Sequence, residues 1–129
     1  MTKQRDLHIT EVELEILQIL WNKGSATVKE VHEILNQKRE AVYTTTLKQM
    51  QVMLGKKLLT RDDEKRQHIY HPAVQQEKVQ KKFMDKLMDT FFKGNAGSLV
   101  IQALNNYKTS PEELELIKKM IDNAKKSKK

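Results

Sequence analysis

Cysteine is absent from this chain of 129 residues, and proline, glycine and aromatic residues are scarce. Without cysteine there can be no disulfide, thiolate metal site or cysteine nucleophile, so nothing points to an oxidising compartment. No apolar run approaches the roughly 20 residues of a membrane-spanning helix, and the first residues lead into no apolar signal segment. These absences predict a cytoplasmic protein, and the length of 129 residues suits one compact domain or a small domain plus a short appendage.

The net charge is basic, with 24 lysines and arginines against 17 acidic residues, which gives +7. Residues 125–129 hold four of the lysines, and we interpret them as a solvated basic tail. A second concentration lies within residues 38–61, where a single acid accompanies Lys38, Arg39, Lys48, Lys56, Lys57 and Arg61. A basic segment of this kind favours a polyanionic partner, so it is a candidate for recognition chemistry.

Two helix starts use the same signal. Thr10 with Glu13, and Thr27 with Glu30, have the T-x-x-E spacing of a capping box, in which each side chain bonds the backbone of the other residue. The first helix is predicted over residues 11–21, and the second begins after a turn of four or five residues. The apolar side of the first helix carries Leu14, Leu17, Leu20 and Trp21, and its polar side carries Glu11, Glu13, Glu15 and Gln18.

A third helix is predicted over residues 41–55. Its apolar stripe consists of Tyr43, Leu47, Met50 and Leu54, and Thr46 and Met53 flank that stripe. The opposite side carries Thr44, Thr45, Lys48, Gln49, Gln51 and Val52. Consecutive threonines are poor helix formers because β-branching restricts χ1, so helix stability alone does not explain their presence.

The hydrophobic period changes from helix to strand after residue 57. Residues 58–61 and 67–70 are two short strand candidates, separated by a polar connection of hairpin length. Three helices followed by a β-hairpin within 72 residues is the layout of a winged helix-turn-helix domain. We therefore predict a mainly α fold with a small β-hairpin wing, in a domain that spans residues 1–72.

We predict that residues 73–124 form a helical dimerisation region, which is followed by the basic tail at residues 125–129. It contains an amphipathic helix over residues 73–92, an apolar segment near 99–104 and a last helix with Ser110 as N-cap. About 50 residues are too few to bury such wide apolar stripes internally, so we expect a partner surface to cover them. The predicted interface residues are Val79, Phe83, Leu87, Phe91, Leu99, Ile117 and Ile121.

The second helix of a helix-turn-helix pair enters the major groove of DNA, where every base pair presents a distinct pattern. In this chain that is the third helix, whose hydroxyl, lysine and amide side chains suit phosphates and base edges. The start of the second helix could bind a phosphate, and the hairpin tip could lie at a minor groove or phosphate. The predicted DNA-binding residues are Thr27, Arg39, Thr44, Thr45, Lys48, Gln49, Gln51, Lys65 and Arg66.

Catalytic and metal-binding patterns are lacking. His68 and His71 are three apart on a predicted strand, where side chains alternate, so they point to opposite faces and cannot easily share a metal. The acidic cluster at residues 62–64 lies in a turn without an enclosed pocket for acid/base chemistry. We expect no enzyme activity, no cofactor and no bound metal.

Five stretches carry a family resemblance. They are E-L-E-I-L through L-W at residues 13–21, A-T-V-K-E-V at 26–31, Y-T-T at 43–45, K-L-L at 57–59 and H-I-Y at 68–70. With them the chain resembles the penicillinase-repressor family of winged-helix regulators, the BlaI/MecI/CopY type, over nearly its full length. The resemblance implies a repressor that binds a dyad-symmetric operator as a homodimer, with Trp21 in the core. By resemblance only, a membrane sensor or peptidase is a further partner.

The chain also departs from this family's pattern. Family members usually have a glycine directly before the first wing strand, where this chain has Lys57. Copper-responsive relatives carry a cysteine-rich metal site, a mode that the absence of cysteine excludes. Antibiotic-responsive relatives are cut at an Asn-Phe bond, and the corresponding place here reads Gln102-Ala103, which does not support induction by that cut.

Two interpretations differ in the partner of the third helix. In the first, the protein is a transcriptional repressor of operator DNA. In the alternative, it is an adaptor whose winged-helix domain contacts only proteins and whose basic helix is incidental. An activator and a sensor of a small ligand are further alternatives, which promoter output and ligand-induced release of DNA would distinguish.

Overall fold

The computed structural model describes residues 8–63 and 66–127. The elements in chain order are α1 (Glu11–Lys23), α2 (Val28–Lys38), α3 (Tyr43–Gly55), β1 (Leu59–Asp62), β2 (Ile69–Pro72), α4 (Gln76–Thr90), α5 (Ala96–Asn106) and α6 (Pro111–Ser127). The predicted fold class, mainly α with one β-hairpin after three helices, is confirmed. Within the described ranges, no helix combines the length and the apolar composition needed to cross a lipid bilayer.

The chain divides into two compact units, Met1–Gln80 and Lys81–Lys129. This division falls later than the boundary expected at residue 72, because Val74 and Val79 pack against the core of the first unit. Val79 is only 2% exposed there. The first unit itself therefore covers this side chain, which leaves little of Val79 for the predicted dimer interface.

Both capping boxes are confirmed. In α1 the Glu13 amide donates to Thr10 Oγ1 at 3.2 Å, and the Thr10 amide donates to Glu13 Oε1 at 3.0 Å. In α2 the Glu30 amide donates to Thr27 Oγ1 at 3.1 Å, and the Thr27 amide donates to Glu30 Oε1 at 2.9 Å. Helix α1 runs to Lys23 and ends at Gly24, whose φ of 90° favours glycine. These local signals fix where the first two helices begin.

The core of the first unit is built from one face of each of its helices and from the hairpin. Its largest fully buried apolar side chains are Ile16, Leu17, Leu20, Val31, Met50, Met53, Leu58, Leu59 and Tyr70. Burial of a large apolar side chain stabilises a fold by about 1.5–3 kcal/mol, so this cluster holds α3 against α1 and α2.

The buried face of α3 differs from the predicted stripe. Thr46, Met50 and Met53 are buried, whereas Tyr43 is 43% exposed. The hydroxyl of Thr46 can be buried because it is hydrogen-bonded to Nδ1 of His32 at 3.3 Å. The ring of Tyr43 meets the His32 ring edge-on, with centroids 5.5 Å apart, and stays at the surface. The prediction that Tyr43 lies in the buried stripe is therefore wrong.

Glu13 was expected on the polar side of the first helix, and that expectation is wrong, because the residue is only 1% exposed. The ammonium of Lys56 donates to both of its carboxylate oxygens at 2.9 Å. Lys56 also donates to the backbone carbonyl of His8 at 2.9 Å. A buried carboxylate is tolerated when it is paired and hydrogen-bonded, and here both conditions hold.

This ion pair predicts a specific loss of stability in acid. Burial raises the pKa of Glu13, but hydrogen bonds from Lys56 and Thr10 lower it, so the pKa lies below its ordinary value of 4.5. A depressed pKa stabilises the folded state above the unfolded value, and the contribution disappears as pH falls through the folded value. Glu13→Gln should therefore lower the Tm much more at neutral pH than at pH well below 4.5, as measured by circular dichroism.

The matched control for that measurement is Glu11→Gln. Glu11 is an exposed carboxylate in the same first turn of α1, so the change removes the same charge near the same helix terminus. We expect the control to shift the Tm little at either pH. An equal loss of Tm for Glu13→Gln at neutral and acidic pH would contradict the role of its charge.

The wing is a two-stranded antiparallel sheet. Its register pairs Leu59 with Pro72 at one end and Asp62 with Ile69 at the other, so both strands begin later than predicted. Leu58 still belongs to the turn that closes α3, because its amide donates to the Met53 carbonyl at 2.9 Å. Lys57, which lies between the end of α3 and Leu58, has φ 68°, a left-handed conformation in which glycine is less strained.

The second unit leaves much of its apolar surface uncovered. Among its described residues, α5 and α6 contain no buried side chain. The most exposed large apolar side chains of this unit are Phe91, Ile101, Tyr107, Leu116 and Met120. Ser110 caps α6 as predicted, since the Glu113 amide donates to its hydroxyl at 3.1 Å. The helix continues through Ser127, so Lys125 and Lys126 lie in its last turn and complement the helix dipole.

Candidate nucleic-acid interface

One side of α3 is exposed and largely polar. Thr44, Lys48 and Gln51 follow one another along this side at helical spacing, and all three are exposed. Thr45 is also exposed, and Gln49 is half-buried at the margin. Because the opposite face is anchored in the core, these side chains are presented outward on a rigid helix.

A concavity of about 260 Å³ lies between the start of α2, α3 and the wing. Three of the predicted DNA-binding residues line it, namely Thr27, Gln51 and Arg66. It is also lined by Lys29, Arg61 and His68, which were not among the predicted site residues. The fold thus brings three cationic side chains to one concavity beside the exposed face of α3, namely Lys29, Arg61 and Arg66.

Arg61 is held in place inside this concavity. Its Nε donates to Asp63 Oδ1 at 2.6 Å, and its guanidinium carbon lies 6.0 Å from the centroid of the Tyr70 ring. Oδ1 of Asp63 is also hydrogen-bonded to Nδ1 of His68 at 2.8 Å. The hydrogen bond from Arg61, followed by that from His68, holds the pKa of Asp63 below its ordinary value. The wing therefore presents Arg61 in a fixed orientation.

A second concavity of about 240 Å³ lies on the other side of α3. Arg39, Thr45 and Gln49 line it together with apolar residues of α1 and α2. Arg39 donates to Glu15 Oε1 at 2.7 Å, with 42% and 35% of the two side chains exposed. An exposed pair of this kind contributes about 0–1 kcal/mol, so a phosphate could compete for Arg39. Thr44 and Lys48 lie on the exposed face between the two concavities.

The basic segment carries less free positive charge than its composition suggests. Three of its six cations, Arg39, Lys56 and Arg61, form ion pairs with acidic side chains. Lys48 makes no ion pair with any described residue and points its charge to the exposed side of α3. Lys65, predicted at the tip of the wing, lies outside the described residues.

The comparison with known sequences decides the family. The sequence model of the penicillinase repressor family matches residues 9–123. The chain belongs to the penicillinase repressor family. The resemblance predicted from the five sequence stretches is thereby confirmed, and the match includes both compact units of this family member.

One curated sequence and two solved structures are similar to this chain. This penicillinase repressor family member is 26% identical over 122 residues to the penicillinase repressor of Bacillus licheniformis, and the match covers 94% of each chain. Its structure is similar to the solution structure of the DNA-binding domain of the repressor BlaI, with 22% identity and a TM-score of 0.51. That match covers 57% of this chain and 90% of the BlaI domain, which confirms the winged-helix fold. A CopR repressor structure matches with 24% identity and a TM-score of 0.45, over 53% of this chain and 99% of that one.

Histidine and acidic side chains are scattered in this family member. In the part of the chain that the structure describes, no three of them come close enough to form a metal-binding group. The wing brings His68 to Asp63, but His71 is exposed elsewhere on β2.

Proposed function

We propose that this protein is a transcriptional repressor that binds a dyad-symmetric operator as a homodimer. The observation that carries the proposal is the division of α3 into a buried face and an exposed polar face. Thr46, Met50 and Met53 anchor the helix, which leaves Thr44 and Lys48 free to approach a duplex. The family membership and the repressor names of the relatives support the same function.

The two sides of α3 suit different contacts. In the major groove, the exposed threonines would reach thymine methyls or phosphates, Lys48 would reach guanine or phosphate, and Gln51 would reach adenine. The concavity with Thr27 and Arg66 on the wing side, and the position of Arg39 on the other, would place donors near the phosphates that flank the groove. Such contacts fix the orientation of the helix on the duplex.

A homodimer would account for the uncovered apolar surface of the second unit. Contiguous exposed apolar surface is uncommon on monomers and marks a binding surface. The proposed interface residues are exposed or half-buried within one protomer: Phe83, Leu87, Phe91, Leu99, Ile117 and Ile121. Two identical recognition helices related by a twofold axis would read inverted half-sites.

We further propose that the protein acts in the cytoplasm by occupying a promoter, without enzymatic activity. A membrane sensor or peptidase that relieves repression is proposed from the family resemblance alone. The inducing signal would act by lowering the affinity for the operator, and promoter output with and without the repressor gene would separate repression from activation.

Lys48→Ala tests the recognition helix. We expect it to weaken operator binding by about 1–3 kcal/mol, with relaxed specificity at one position if Lys48 contacts a base. If Lys48 contacts a phosphate, the loss should be uniform across sequences and the salt slope should fall by about one per protomer. Fluorescence anisotropy on a duplex selected from a random library by the wild-type protein measures both quantities.

The matched control is Lys118→Ala, which removes an identical charge from an exposed position on α6. It should change the affinity much less than Lys48→Ala, and light scattering should give the same mass for both variants. If the binding titration of Lys48→Ala equals that of the wild type, the result counts against α3 as the DNA-binding element. A wild-type protein that selects no DNA sequence would instead favour the protein-binding adaptor.

A further inference from the structure

An ion pair between a buried carboxylate and a partly exposed ammonium connects the C-terminal end of α3 to the beginning of α1. Lys56 is the residue directly after α3, and its ammonium donates to both carboxylate oxygens of Glu13 and to the carbonyl of His8, all at 2.9 Å. We name this group of three residues the Glu13–Lys56 clamp. An ammonium has three donors, and the clamp satisfies all of them.

The geometry of the clamp is tightly determined. Only 2% of the Glu13 side chain is exposed, against 35% of the Lys56 side chain. Oε1 of Glu13 also accepts the Thr10 amide at 3.0 Å, so the same carboxylate caps α1 and binds the end of α3. Loss of Lys56 would leave the buried Glu13 carboxylate without a compensating charge, so Glu13 strongly favours the arrangement in which the two are paired.

The clamp lies where α3 is followed by the wing. Directly after Lys56, Lys57 takes φ 68° and turns the chain, and the Leu58 amide donates to the Met53 carbonyl at 2.9 Å. Leu58 in turn accepts the Ala73 amide at 2.8 Å, beside the end of β2. A shift of Lys56 would therefore displace the end of α3 together with the base of the hairpin.

We propose that the Glu13–Lys56 clamp is a positioning device for DNA recognition, which holds the end of α3 and the base of the wing in the placement that the operator requires. In this arrangement neither Glu13 nor Lys56 touches the DNA. Lys56 belongs by sequence to the basic segment, but its ammonium donates all of its hydrogen bonds within the clamp and supplies no phosphate contact. This inference rests on the proposed function, because α3 and the wing are taken as the DNA-contacting elements.

Lys56→Met is the central variant, and Lys57→Met is its matched control. Both remove one lysine charge at adjacent positions, but Lys57 is exposed and forms no ion pair with a described residue. The probe is the duplex selected from a random library by the wild-type protein, titrated by anisotropy over a series of salt concentrations. We expect Lys56→Met to weaken binding roughly tenfold, the equivalent of one good base contact, without any change in the salt slope.

A measurement on the free protein makes the test independent of DNA. Amide hydrogen exchange should accelerate by about tenfold at Leu58 and Ala73 in Lys56→Met, while Val31 in α2 stays close to wild type. Lys57→Met should leave all three amides near their wild-type rates. If the wild-type protein selects no duplex, the proposed function fails while these exchange rates still decide whether the clamp positions the junction.

Glu13→Gln covers the case in which Lys56→Met does not fold. Its amide keeps one acceptor for Thr10 and Lys56, so the same changes should occur at smaller size, and the double variant should be less affected than the sum of the two single variants. A salt slope that falls by about one per protomer in Lys56→Met would make Lys56 a phosphate contact and overturn the inference. Wild-type affinity, or wild-type exchange at Leu58 and Ala73, in a folded Lys56→Met protein would overturn it equally.

Discussion

Phe91→Asp combined with Phe83→Asp is expected to give monomers and to weaken operator binding by at least about a hundredfold, because a dimer gains affinity from two linked half-sites. Phe91 is 74% exposed and Phe83 39% exposed within one protomer, so part of each ring is available to a second copy. A carboxylate at either position would have to be desolvated in the interface, which opposes association. Sedimentation velocity measures the mass, and anisotropy measures the affinity.

The control for the dimer experiment is Val12→Asp. Val12 is an apolar residue on α1 in the first unit, with 38% exposure, so it receives the same kind of substitution away from the proposed interface. This variant should remain a dimer. Phe83→Asp with Leu87→Asp offers a second pair in α4, with Leu87 half-buried. A dimer that persists in both double variants would place the interface elsewhere.

Operator binding is expected to depend steeply on salt. Six phosphates neutralised per dimer predict a slope of about −5 in a plot of log affinity against log salt concentration, so affinity should fall about a thousandfold between 50 and 200 mM salt. Lys48, which pairs with no described acidic residue, and the concavity lined by Lys29 and Arg66 supply three candidate phosphate contacts in each protomer. Anisotropy titrations at several salt concentrations give the slope directly.

The salt experiment separates the two interpretations of the basic helix. A duplex of scrambled sequence should bind more weakly but with a steep slope of its own, because phosphate contacts carry no sequence information. Lys29→Ala, which removes a cation from the concavity, should reduce the slope by about one per protomer. A flat dependence for the selected duplex would mean that phosphate contacts contribute little and would favour the adaptor.

Local signals in the sequence were sufficient to predict where α1 and α2 begin. A capping box involves residues three apart, so Thr10 with Glu13 and Thr27 with Glu30 could be recognised without knowledge of the fold. The change from helical to strand periodicity predicted the wing, although each strand begins later than expected. The exposure of Thr44, Thr45, Lys48 and Gln51 also agrees with the helical spacing, while their contact with DNA stays a prediction.

Contacts between distant residues could not be predicted in the same way. Glu13 and Lys56 are 43 residues apart, and the sequence placed Glu13 on the polar side of the first helix and Lys56 in the basic segment. Tyr43 fitted an apolar stripe, but the hydrogen bond between Thr46 and His32 allows the buried face to turn away from it. Arg61 was visible as a cation, yet only the pairing of the two strands brings it to the concavity beside α3.

Trp21 gives the protein an intrinsic optical reporter for one unit alone. It is the chain's single tryptophan, and its indole nitrogen donates to the Val74 carbonyl at 3.0 Å, which ties α1 to the segment after the wing. Emission from this indole would follow the unfolding of Met1–Gln80, whereas far-ultraviolet ellipticity would follow the helices of both units. A difference between the two melting curves would resolve two separate transitions in the unlabelled chain.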